Sequence, residues 1–240
     1  MMLTRHWRWV LAVVAVIALG LVLEPVFRPG GRSRPGVDLP WQIHRRGDTV
    51  EIFGLTLGET TLAQAIDKLG QRHEVALFRA LDGHLDLEAY FRAVSLGGLS
   101  ARMVLNLDLP RDTLRDLLPD NAPGQPMPSG SRRFALPEVP PPVVARAPIR
   151  AVTYVPVVDF DPELVDRHFG QPGERLDGPE DIRHWLYPEL GLAISWEGEQ
   201  TVFHYVRPPM FSRLRARLLE ATDVTADANA ISDDATPEYS

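Results

Sequence analysis

Leu99-Ser100-Ala101-Arg102-Met103-Val104-Leu105-Asn106-Leu107 decides the reading of this chain, because Glu199 to Arg207 (EQTVFHYVR) repeats its setting one hundred residues later. Both stretches are short, apolar-rich and bounded by turn residues, so each reads as a strand. Proline follows each of them, as Pro110 and as Pro208-Pro209. Each proline then opens a short amphipathic helix, with Leu114, Leu117 and Leu118 in one copy and Phe211, Leu214 and Leu218 in the other.

The same offset recurs upstream, where Leu69-Gly70-Gln71 matches Phe169-Gly170-Gln171. Thr60 or Thr61 caps a helix whose apolar residues are Leu62, Ala65, Ile66 and Leu69, and Gly70 stops it. Asp161 caps a second helix, Pro162 takes its first position, and Leu164, Val165 and Phe169 form its stripe before Gly170. Between helix and closing strand, Val75 to Phe78 and Leu87 to Val94 read as strands in one unit. His184 to Tyr187 and Leu192 to Trp196 do so in the other. Gly97-Gly98 supplies a tight turn. The expected fold class is α+β: an N-terminal transmembrane helix followed by two similar helix-plus-antiparallel-sheet units, 41–118 and 151–220. The alternative is two α+β halves whose spacing agrees by coincidence.

The remaining segments are set by composition. Residues 1–8 form a basic tail with Arg5 and Arg8, and Trp9 to Leu23 (WVLAVVAVIALGLVL) carries no charge. Residues 9–27 are therefore expected to be a transmembrane signal anchor, making the protein single-pass. A cleaved signal peptide is the competing reading, but Ala18-Leu19-Gly20 lies inside the apolar run rather than after it. Residues 28–40, with Pro29, Pro35, Gly30 and Gly31, read as a linker, and 119–150 as a Pro-rich connector around Pro140-Pro141-Pro142. Residues 221–240 read as a disordered acidic tail. Arginines flank the apolar run on both sides, and a short basic N-terminus is expected to stay inside. The expected location is thus the inner membrane with a periplasmic domain, and the runner-up is a cytoplasmic domain.

Composition excludes several functions. The chain of 240 residues has a formal charge of −7 and no cysteine. A net-acidic protein is not expected to bind nucleic acid. Without cysteine there is no disulfide, thiolate nucleophile or Cys-based metal site.

The second unit runs Leu164-Val165-Asp166-Arg167-His168-Phe169-Gly170-Gln171-Pro172, then His184-Trp185-Leu186-Tyr187-Pro188, then Gly191-Leu192-Ala193-Ile194. This pattern resembles the small outer-membrane assembly lipoproteins and the related β-lactamase-inhibitor-protein fold. The first unit repeats the opening more loosely, in Gly54 to Gly58 and Leu69-Gly70. The resemblance implies a protein-binding module whose sheet face or edge contacts another envelope protein, and it implies no catalytic residues. The chain departs from the lipoproteins in having no lipidated cysteine.

The residues able to carry chemistry lead to the same expectation. No histidine pair has metal-ligand spacing, although His184 and His204 can meet on neighbouring strands near Asp181. There is no nucleophile elbow and no phosphate-cradling loop. Asp82, Asp86 and Glu88 cluster near one strand and read as solvated charges. Catalytic, cofactor-binding and metal-binding residues are accordingly expected to be none. The aromatic set Trp185, Tyr187, Trp196, Phe203 and Tyr205 offers either core packing or an exposed interaction surface. The expected function is a non-catalytic, membrane-anchored envelope protein that binds another protein. The rival is an enzyme or small-ligand-binding protein with its site between the two units. A deep pocket with converging polar groups favours the rival, and a flat face or open edge favours interaction.

Overall fold

The computed structural model describes residues 39–219 apart from 71, 120–122, 179–181 and 199. Its first strands, β1 (His44–Arg46), β2 (Thr49–Ile52) and β3 (Leu55–Thr56), make a small antiparallel sheet. Helix α1 (Leu62–Leu69) follows. Thr61 and Gln64 close a reciprocal capping box at its start, which satisfies two otherwise unpaired N–H groups. Strands β4 (Glu74–Arg79), β5 (Leu85–Leu96) and β6 (Leu99–Leu107) then form a meander, and α2 (Arg111–Asp116) closes it. Next come β7 (Gln125–Pro126), β8 (Arg132–Ala135), α3 (Pro142–Ala145) and β9 (Ile149–Pro156). Helix α4 (Pro162–Phe169) is capped by Asp161, whose Oδ1 accepts from Leu164 N at 2.7 Å. Strands β10 (Glu174–Asp177), β11 (Arg183–Tyr187), β12 (Leu192–Glu197) and β13 (Gln200–Val206) follow, and α5 occupies 211–219.

Ten of these strands make one antiparallel sheet in the order β10-β11-β12-β13-β9-β6-β5-β4-β8-β7. This corrects the expected fold class. The described residues are predominantly β, the helices are short, and the two presumed units are merged edge to edge instead of standing as separate α+β units. The joint is β9, which pairs with β13 on one side and β6 on the other. Its sequence, IRAVTYVP, falls at the end of the presumed connector and was not among the expected strands. The Pro-rich interval also contributes β8, which pairs with β4.

The transmembrane, signal-anchor and single-pass expectation is likewise not supported. Among the described residues no helix is long and apolar enough to cross a membrane. Residues 9–27, on which that expectation rested, lie outside the described residues, as do 1–8 and 221–240.

Alternation along the strands sends every second side chain to one face, where the main core lies. On β5 the inward set is Leu85, Leu87, Ala89 and Phe91, and a bulge between Phe91 and Val94 keeps Val94 and Leu96 inward as well. Met103, Tyr154 and Phe203 form one row across β6, β9 and β13, and Leu105, Val152 and Tyr205 form the next. Helices α1 and α4 cover this face through Leu62, Ala65, Ile66 and Val165. Tyr205 Oη donates to Pro40 O at 2.8 Å, and Trp41 stacks on His168 at 4.0 Å. The start of the described chain is thereby fixed to the core.

One glycine is dictated by space. Gly191 has φ +63°, and a Cβ there would lie 2.0 Å from Val206 O. The closeness follows from the Val206 N–H donating to Gly191 O at 2.8 Å beside the β12 start.

Candidate functional site

The five aromatic residues expected from the sequence sit on the core side of β11, β12 and β13. Phe203 and Tyr205 share a face, as alternation requires, but that face is the interior one. Tyr187, Trp196, Phe203 and Tyr205 are all buried, so an exposed surface made from the five is corrected. The polar ends of three of them are spent internally. Trp196 Nε1 donates to Phe160 O at 2.7 Å, Tyr187 Oη to Gly170 O at 3.0 Å, and Tyr205 Oη to Pro40. Burial pushes the Tyr187 phenol up to about 12, and the Asp166 charge adds to that. Trp185 alone is half-exposed. The Arg175 guanidinium lies 4.7 Å above its ring, and Trp196 meets it edge-on at 5.1 Å.

Among the described residues, the opposite, outer face of the sheet divides into a half packed under an apolar helix and a half without such a helical cluster. Helix α5 covers the β11–β13 half, packing Phe211, Leu214 and Leu218 with Leu186, Ala193, Leu176 and Val206. Arg215 fastens it through two bonds to Glu174, at 2.7 and 2.6 Å. Buried on this outer face, His184 Nδ1 lies 2.7 Å from Ser195 Oγ, and His204 Nδ1 lies 3.4 Å from Thr153 Oγ1. Burial lowers both imidazoles to about 4, and for His204 the neighbouring His184 adds to the effect. A serine beside a neutral histidine has the contact of a nucleophile and base. Ser195, however, is wholly buried, and no carboxylate bonds to His184 among the described residues. The contact satisfies His184 Nδ1 and Ser195 Oγ, while His184 Nε2 is buried without a hydrogen-bond partner among the described residues. Asp181 lies outside the described residues, and no group of three metal-ligating side chains occurs within them.

Asp86 and Glu88 point outward from β5, two residues apart. Burial pushes the Asp86 carboxyl up, but the His84 hydrogen bond and Arg150, whose Nη2 donates at 2.9 Å, hold it at about 2. Burial raises Glu88 to about 7, and the Asp86 charge adds to the rise. Asn106, which donates to Glu88 Oε1 at 3.0 Å, opposes it together with Arg150 and Arg217. Asp86 is therefore ionised near neutrality while Glu88 titrates there, and the two are not the equivalent solvated charges expected from sequence. Asp82 stays apart from them, accepting from the His84 backbone N–H at 2.9 Å.

The uncovered half carries a group that the sequence reading missed. Tyr90 and Arg92 continue the outward parity of β5, and Ser100 and Arg102 lie on the same side of β6. Glu74 lies opposite Tyr90 across β4 and β5, and burial raises the Tyr90 phenol while the Arg102 and Arg92 charges oppose that rise. Glu74 accepts from Arg92 at 3.3 Å and from Arg133 at 2.9 Å, whereas Arg102 has no ion pair among the described residues. Val157, 56% exposed, is held beside them by its N–H donating to Ser100 O at 2.9 Å. The signal was legible in β5: Leu87, Ala89 and Phe91 face in, so Glu88, Tyr90 and Arg92 must face out.

Two depressions accompany these faces. One of about 260 Å³ is bordered by Arg46, Asp48, Glu59 and Arg207, and one of about 340 Å³ by His73, Glu74, Arg133 and Glu138. Neither reaches Glu88 or the buried histidines. No family model, no curated protein and no solved structure matches this chain.

Proposed function

We propose that this protein is a non-catalytic interaction module that binds an acidic surface of another protein through the uncovered outer face of β5 and β6. The observation that carries the reading is the grouping of Tyr90, Arg92, Arg102 and Val157 on one side of the sheet. Tyrosine and arginine are enriched where binding energy concentrates, because each gives a large contact area with a directional polar end. The arginines exceed the single Glu74 that pairs with them, so a carboxylate-bearing partner restores the balance. The resemblance to outer-membrane assembly lipoproteins and to an inhibitor protein supports a partner in the cell envelope.

The test uses the full-length tagged chain, captured after brief chemical crosslinking in cells and quantified by mass spectrometry. Reversing Arg102 to Glu, or truncating Tyr90 to Ala, should cut recovery of the specific partner by roughly tenfold, the effect of about 1.4 kcal/mol. A matched thermal melt shows that the fold persists. Unchanged recovery with both variants would refute this surface.

A further inference from the structure

The β10 edge of the sheet carries its own recognition pattern, separate from the uncovered face. Its residues are Glu174, Arg175, Leu176 and Asp177, and among the described residues only β11 pairs with it. Gly178 N donates to Ile182 O at 2.7 Å, and the register pairs Leu176 with His184 and Glu174 with Leu186. In an antiparallel ladder, hydrogen-bonded and non-bonded positions alternate. Residues 174, 176 and 178 therefore turn their backbone groups toward β11. Arg175 and Asp177 turn theirs away from the sheet.

Edge strands are ordinarily protected by charge, which repels an arriving strand. Here the charges alternate in sign, and that makes the edge complementary to itself. The structure assigns to this edge a second copy of the same chain, paired antiparallel about a dyad at Leu176. In that register Arg175 lies opposite Asp177 of the copy, and Asp177 opposite its Arg175. The two residues with outward backbone groups thus become the hydrogen-bonded pairs, on both sides of the dyad. Their side chains are exposed on the same side of the strand, where opposite charges directly across attract. Leu176 meets its own counterpart on the outer side, extending the cluster of Leu186, Phe211 and Leu214 across the junction. Arg175 is already oriented by stacking over Trp185 and by donating to Gln171 Oε1 at 2.8 Å.

The chain has no cysteine, so Leu176→Cys places a single thiol at the dyad. Directly opposed residues at a non-bonded position are about 4.5 Å apart at Cα, within disulfide reach. The full-length variant should form a crosslinked dimer on mild oxidation, read on a non-reducing gel. Adding Asp177→Arg, or Arg175→Asp, should lower that yield roughly tenfold, since two attractive pairs become repulsive. Co-expressing the two charge variants, distinguished by tags, should restore it as the mixed dimer. Asp177→Arg keeps the Trp185 stack and decides the matter if Arg175→Asp fails to fold. Absence of the Leu176→Cys dimer, or a yield indifferent to these charges, would overturn the assignment. Neither result bears on partner binding by Arg102 and Tyr90.

Discussion

Met103 and Phe203 are the two neighbours of Tyr154 in the sheet, one on β6 and the other on β13. Residues a hundred positions apart thus pack against one ring, and β9 welds the two halves into a single core. Phe203 also meets the rings of Phe160 and Phe169 at 5.1 and 6.1 Å. Phe203→Ala should destabilise the protein by about 3–5 kcal/mol and Met103→Ala by about 2–5 kcal/mol, measured by denaturant unfolding. Because both touch the same row, the double variant should depart from additivity by more than about 0.5 kcal/mol. Strict additivity would mean that the halves are energetically separate.

A smaller effect is expected where the chain enters the fold. The Tyr205 hydroxyl is buried and bonded to Pro40 O. Tyr205→Phe leaves that carbonyl without its partner and should cost about 1–3 kcal/mol in the same measurement. Protease cutting near Trp41 should quicken in parallel. A variant as stable as the parent would show that the contact contributes nothing.

Two histidines and two glutamates set opposing dependences on pH. His184 and His204 stay neutral in the fold down to about 4, while unfolded histidine takes a proton near 6.5. The stability they contribute is present above about 6.5 and is lost as pH falls toward 4. Glu88 holds its proton in the fold up to about 7, so its contribution is present below its unfolded value and lost as pH rises through 7. Two histidines outweigh Glu88, displaced by a similar interval, together with Glu197, which burial raises less. The melting temperature should therefore fall between pH 7 and pH 5. Glu88→Gln should steepen that fall and His204→Gln should flatten it. A melting temperature that rises on acidification would contradict the balance.

Much of the local structure was legible because it depends on local chemistry. Thr60 or Thr61, and Asp161 with Pro162, mark two helix starts, and the fold places the caps at Thr61 and Asp161. The strand Leu99–Leu107 keeps its expected bounds because Gly97-Gly98 and the Asp108-Leu109-Pro110 break flank it. What stayed hidden is pairing between distant segments. β9 carries Arg150 and Thr153 among its apolar residues without a regular alternation and sits against a proline-rich interval, so nothing local marks it as the middle of a sheet. The aromatic group misled for a related reason: alternation gives the shared face of Phe203 and Tyr205 but not whether that face is inside. Only the placement of α1 and α4 settles it. Tyr90 and Arg102 were readable by parity on β5 and β6, yet their proximity depends on register.

The central claim is that the uncovered outer face meets a protein partner, and site-directed photocrosslinking tests it most directly. A benzoyl-phenylalanine replacing Arg102 or Tyr90 in the full-length chain reports what lies on that face. The same group at Ala63, exposed on α1 at the opposite side, reports on the other. The account predicts one discrete protein adduct from positions 90 and 102 and none from 63. Adducts confined to position 63, or none from either face in cells expressing the chain, would contradict it.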